Sequence, residues 1–128
     1  MAGMEIWNGD GAHFTAFNTI DDCLITTLQP DVDEQYLRQL EVDISNALLR
    51  GAHRTLIMDA TPLELIDATD FDRLRMVIDV ARLMGVGTII AGLRPGVVAG
   101  LVELDANIKG LVTTLNMEKA LQIAGRAD

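Results

Sequence analysis

From Phe14 onward the apolar positions fall into short blocks whose spacing changes along the chain. Phe14–Asn18 and Cys23–Leu28 are apolar-rich runs of strand length, separated by Asp21-Asp22, so the regular part is predicted to open as an antiparallel hairpin. Leu37, Leu40, Ile44, Ala47 and Leu48 then recur at helical spacing, which predicts a helix with one buried stripe. Pro30-Asp31-Val32-Asp33 gives that helix an acidic start, and Gly51 ends it. Thr55-Leu56-Ile57-Met58 is apolar on both faces, as expected of a strand covered on both sides in a parallel sheet.

After the loop Asp59-Ala60-Thr61-Pro62, a second helix is predicted from about Thr69 to Leu83, with Phe71, Leu74, Ile78 and Ala81 on one stripe and Gly85 as its stop. Thr88–Ala91 reads as another covered strand. Arg94-Pro95-Gly96 places proline in the first turn of a third helix reaching about Leu104, where its missing N–H costs nothing. Leu111-Val112-Thr113 is predicted as the last strand, and Asn116 as the cap of a final helix burying Met117, Ala120, Leu121 and Ala124. Residues Met1 to His13 carry Gly3, Gly9 and Gly11 without period and are read as an irregular N-terminal segment, the folded domain being 14–128.

Strands alternating with helices after a hairpin predict an α/β fold: a mixed, mostly parallel sheet of about five strands with about four helices, built by right-handed crossovers. In such sheets function collects at the carboxyl ends of the strands, here the loops after Met58 and Ala91. The chain has 128 residues, enough for one domain. It is 49% hydrophobic but only 4% aromatic, so its core must be aliphatic, with Met58, Met76 and Met84 read as filler.

The net charge of −9 speaks against nucleic acid and anionic membrane as partners, since phosphate binding needs a concentrated basic surface. No apolar run approaches the roughly 20 residues of a membrane span, no secretory leader is evident, and the single cysteine, Cys23, has no disulfide partner; cytoplasmic residence is expected.

Four segments, in order, resemble the STAS family of anti-sigma-factor antagonists, and most closely the small scaffold STAS proteins of the bacterial stressosome. They are Leu56-Ile57-Met58-Asp59 with Leu65-Ile66-Asp67; Arg82-Leu83-Met84-Gly85; Gly92-Leu93-Arg94-Pro95 with Leu101-Val102-Glu103-Leu104; and Leu115-Asn116-Met117-Glu118-Lys119-Ala120-Leu121. The resemblance implies the STAS fold and a regulatory role through protein–protein contact. It also implies a Ser or Thr phosphoacceptor directly after the Asp that opens the second helix, and a second acceptor in the third helix. This chain has Ala68 and Gly100 at those places, so neither can take a phosphoryl group. By resemblance the unphosphorylated form is the one that binds a kinase-type partner, which makes a permanently competent binder the expectation.

Thr69, one residue on, is the nearby hydroxyl that offers an alternative phosphoacceptor. Its ordinary reading is the helix N-cap, with Asp70 and Asp72 complementing the dipole. A kinase reading position 68 would find the Thr69 side chain turned about 100° around the helix axis. Glu64, Asp67, Asp70 and Asp72 form an acidic rim offset by Arg73, readable as a solvated face or as a docking patch; Asp59 and Arg94 complete the loop surface expected to meet a partner. Arg73 with Arg94 is readable as a small anion site, although ordinary surface arginine is the commoner explanation. No lysine precedes Lys109, which speaks against an aspartyl-phosphate or magnesium centre at Asp59 and Asp67. His13, His53 and Cys23 are not spaced as metal ligands, and no cofactor is expected.

The expected function is therefore a non-catalytic STAS regulator. It would form a homodimer or larger assembly, pair with a larger STAS scaffold protein through exposed apolar or amphipathic helix faces, and bind a serine/threonine switch kinase or anti-sigma factor. The alternatives are an antagonist switched by phosphorylation at Thr69, and a small-molecule or nucleotide sensor.

Overall fold

The computed structural model describes residues 3–8 and 14–126. Six strands form one sheet in sequential order: β1 (Gly3–Asn8), β2 (Phe14–Ile20), β3 (Cys23–Thr27), β4 (Thr55–Asp59), β5 (Gly87–Ala91) and β6 (Thr113–Thr114). β1 and β2 pair antiparallel, as do β2 and β3, and every later pairing is parallel. The helices are α1 (Glu34–Arg50), α2 (Ala68–Leu83), α3 (Pro95–Glu103) and α4 (Met117–Arg126). The fold class is the predicted mixed α/β sheet.

Alternate residues along the strands separate two apolar clusters. Leu24, Leu56, Met58 and Ile90 point to one face and pack beneath α1, α2 and α3. Ile25, Ile57, Ile89 and Ala91 point to the other and meet Ala120 and Ala124 of α4, joined by Cys23 as the small core residue expected. Leu40, Leu56, Ile57 and Met58 are wholly buried, each aliphatic side chain of this kind contributing about 1.5–3 kcal/mol of burial. The α1 stripe is buried as predicted, Asn116 caps α4 by accepting from Lys119 N–H at 2.9 Å, and the hairpin turns at Asp21, whose φ is 54°.

Four expectations are corrected. The N-terminal segment is not irregular throughout: β1 lies within it and pairs along β2, although residues 1, 2 and 9–13 lie outside the described residues. The sheet accordingly gains a sixth strand. The last strand is Thr113–Thr114 rather than Leu111–Thr113, because the ladder with β5 begins only at Ile90 opposite Thr113. Met76 is not core filler; it lies between the buried positions of α2 and is 53% exposed.

On the inner face of α1, Asp43 is fully buried, and among the described residues it is held by two polar side chains. Its Oδ2 accepts from the Thr15 hydroxyl at 2.5 Å and its Oδ1 from the Gln39 amide at 2.8 Å. That pair of bonds fastens β2 to α1 and keeps the carboxylate satisfied.

Candidate functional site

The parallel strands end at one edge of the sheet, and there the loops after β3 and β4 are stitched together. Leu28 N–H donates to Asp59 O at 2.9 Å, Glu64 N–H donates to Pro30 O at 2.9 Å, and Asp31 bridges Leu65 in parallel sense. The stitching continues the β3–β4 pairing beyond the strands themselves, so α1 and α2 begin side by side.

Each of these helices is capped by an aspartate. Asp33 Oδ1 accepts from Tyr36 N–H at 2.7 Å, and Asp67 Oδ1 accepts from Asp70 N–H at 2.7 Å. Thr69, expected as the cap of α2, is instead an exposed residue one position inside the helix. Asp67 takes the capping role because its backbone is extended (φ −87°, ψ 173°), the geometry that aims a short side-chain oxygen at the first turn. Ala68 is the first residue of α2, half-buried, and presents only a methyl group there.

The surrounding field is negative. Partial burial, then the neighbouring Asp67 carboxylate and more weakly Asp33, push the Asp70 carboxyl above the ordinary aspartate range, with Arg73 pulling the other way. Arg73 is itself committed: its Nη2 donates to Glu34 Oε1 at 2.8 Å, the same oxygen that Arg38 holds from one turn further along α1. The Arg38 hydrogen bond, followed by the charges of Arg73 and Arg38, draws the Glu34 carboxyl below the usual glutamate value. Asp72 and Glu64 remain exposed on the rim.

Asp59 closes the carboxyl end of β4. Its Oδ1 accepts from Thr61 N–H at 3.0 Å and from the Thr61 hydroxyl at 2.6 Å, a local turn that leaves this carboxylate engaged. Arg94 Nε donates to Thr61 O at 2.9 Å, joining the β5–α3 loop to the β4–α2 loop. The structure therefore groups the predicted residues in two: Asp67, Asp70 and Arg73 with Glu34, and Asp59 with Thr61 and Arg94. Arg73 donates to the Glu34 carboxylate and Arg94 to the Thr61 carbonyl. Gly100 sits apart, inside α3, where an added Cβ would meet no atom within 4 Å.

Sequence reasoning missed Asp33, Glu34 and Arg38 as members of this surface. The signal was the acidic start of α1 together with the topology, since helices following adjacent parallel strands must begin at the same edge. Among the described residues no group of His, Cys, Asp and Glu is arranged to hold a metal ion, and no helix is long and apolar enough to cross a membrane. Burial first, then the Asp22 and Asp21 charges, raise the Cys23 thiol above its ordinary value.

No protein-family model matches the chain. Among solved structures, a serine-to-glutamate variant of RsbS from Moorella thermoacetica superposes with TM-score 0.73 at 24% identity, over 86% of this chain and 93% of that one. A chain of the stressosome, described as a signal integration and transduction hub, superposes with TM-score 0.75 at 23% identity, over 86% and 96% of the two chains. An anti-sigma-factor antagonist (STAS) domain protein from Planctomyces limnophilus matches with TM-score 0.68 at 14% identity, over 87% and 97%. The chain has the STAS fold.

In sequence, this chain is 18% identical over 104 residues to the RsbT co-antagonist protein RsbRA of Bacillus subtilis. The match takes in 81% of the chain but only 38% of RsbRA, so the chain spans well under half the length of that curated relative.

Proposed function

We propose that this STAS domain is a non-catalytic, cytoplasmic regulatory module of the stressosome scaffold kind. It assembles with copies of itself, as a homodimer or larger, or with a larger STAS protein. It presents the surface built by Asp59, Asp67, Asp70, Asp72, Arg73 and Arg94 to a serine/threonine switch kinase or kinase-type anti-sigma factor. The observation that carries this reading is Ala68 as the first residue of α2, directly after the capping Asp67, where the family's switch residue belongs by resemblance.

A phosphoryl group at that turn would bring about two negative charges to a helix N-terminus. Backbone N–H groups and the dipole favour such a charge. Here, however, Asp67, Asp70 and Asp33 already crowd the turn with like charge, and Arg73 is held by Glu34. The turn is suited to remain unphosphorylated, the state that binds a partner. Likeness to a stressosome chain and to RsbRA supports the assembly part of the proposal.

The test is incubation with the cognate switch kinase and ATP, read by intact mass, alongside a binding isotherm. The unmodified protein is expected to bind without gaining a phosphoryl group, and Ala68→Ser to gain one and bind more weakly. A phosphoryl gain on the unmodified chain that disappears in Thr69→Ala would favour the second reading, for which the exposure of Thr69 near the helix start is the supporting observation. Absence of any kinase or STAS binding would overturn the proposal.

A further inference from the structure

The chain between α3 and α4 hangs between two anchors. Leu101 of α3 is 1% exposed and Ala120 of α4 is 0% exposed, yet no described residue from Val102 to Lys119 is buried. Before α4, the side chains of this stretch that pack against the core are Ala106 and Leu111, both half-buried. Leu111 lines two hollows, one of about 240 Å³ and one of about 150 Å³, so its packing is incomplete on more than one side.

What holds the stretch is a short ladder and one side chain. β6 contributes two residues to the sheet, with Ile90 N–H donating to Val112 O at 2.9 Å and Gly92 N–H to Thr114 O at 3.0 Å. Ahead of β6, Arg75 reaches out from α2 and donates to Asn107 O at 3.1 Å and to Lys109 O. A guanidinium carries its donors in a rigid fork, so one side chain can grip two carbonyls at once. The gripped segment is bounded by left-handed residues, Asp105 at φ 57° and Gly110 at φ 75°. Arg75 itself stands on a helix fixed by the buried Phe71, Leu74, Val77, Ile78 and Ala81.

The free energy of a local opening is set by the buried contacts it breaks, and here few would be lost. We propose that residues 104–114 form a strap, latched by Arg75, that opens as a unit while the rest of the sheet stays closed. Its effect reaches the carboxyl edge of the sheet. When β6 lifts, Gly92 loses its bond to Thr114, and Gly92 is the residue packed against the Thr61 hydroxyl. Thr61 in turn is joined to Asp59 and to Arg94. The latch therefore sets how firmly the Asp59–Thr61–Arg94 group is held. The strap does not depend on what binds at that edge, and either proposal can fail alone.

The experiment is native-state amide hydrogen exchange of the whole chain, followed by NMR with each rate corrected for its intrinsic chemical rate. The Ile90 and Gly92 amides report release of β6, and the amide of Ile57, in the central strand β4, reports opening of the sheet. Ile90 and Gly92 are expected to exchange at least roughly tenfold faster than Ile57. Arg75→Gln removes the grip on the two carbonyls and is expected to raise both rates roughly tenfold more, with Ile57 unchanged. Rates at Ile90 and Gly92 no faster than at Ile57, a rise at only one of the two amides, or no rise in Arg75→Gln would overturn the proposal. Should the glutamine variant not fold, Arg75→Lys decides the matter, since it keeps the charge but lacks the fork: a severalfold rise at both amides is expected, and no rise overturns the latch.

Discussion

Arg73 of α2 donates to Glu34 of α1 at 2.8 Å, an ion pair spanning 39 residues of sequence that binds together the starts of the two helices nearest the proposed docking surface. Because Glu34 is more than half exposed, the pair stabilises the fold little. Arg73→Ala is expected to cost less than about 1 kcal/mol in urea unfolding. The same substitution should change kinase affinity markedly, since it leaves the acidic rim without its cation.

The opposite balance holds at the buried Thr15–Asp43 contact. Thr15→Val leaves one Asp43 oxygen without its hydroxyl donor in a site closed to water, and a loss of about 2 kcal/mol is expected by chemical denaturation. Asp43→Ala strands both Thr15 and Gln39 and is expected to cost at least as much.

Carboxyl ¹³C titration should separate two acids at the starts of α1 and α2. Asp70 is expected to titrate above an ordinary aspartate and Glu34 below an ordinary glutamate. The folded state holds the Asp70 proton more tightly than the unfolded chain, so its contribution favours folding at low pH and fades as pH rises through the folded-state value. Glu34 behaves in reverse: its contribution is present above the unfolded value and is lost as pH falls through the lowered one. Asp67→Asn keeps a capping side chain but removes its charge, and is expected to bring Asp70 back toward the ordinary range.

Two glycines should respond in opposite directions. Gly92 has φ 75°, and a Cβ there would run into the Thr61 hydroxyl that Asp59 holds. Gly92→Ala is therefore expected to destabilise by about 1–2 kcal/mol and to disturb that turn. Gly100 is helical with open space around it, so Gly100→Ala is expected to stabilise by up to about 1 kcal/mol in thermal melts. A gain would also show that room for a side chain is not what keeps a hydroxyl residue from position 100.

The helices and the covered strands were legible because burial imposes a period: Leu37, Leu40 and Ile44 can share one face only in a helix, and Leu56-Ile57-Met58 has no polar side to give to water. β1 left no such trace, since a strand at the sheet edge is held by main-chain pairing with β2, to which any non-proline residue contributes. The cap of α2 was misplaced because Asp67, Thr69 and Asp70 are all competent caps, and the choice among them is made by where the backbone turns out of the extended region. The loops at the carboxyl ends of the strands were located from topology, but their wiring was not: nothing local to Arg73 announces Glu34, and nothing local to Arg94 announces the carbonyl of Thr61.

The stitching of Pro30 to Glu64 and of Asp31 to Leu65 has a mechanical consequence. Two connections that would otherwise wander separately are clamped into one plate carrying both helix starts. A protein arriving at this edge meets a surface whose shape is already set, and little of the association free energy is spent in freezing it.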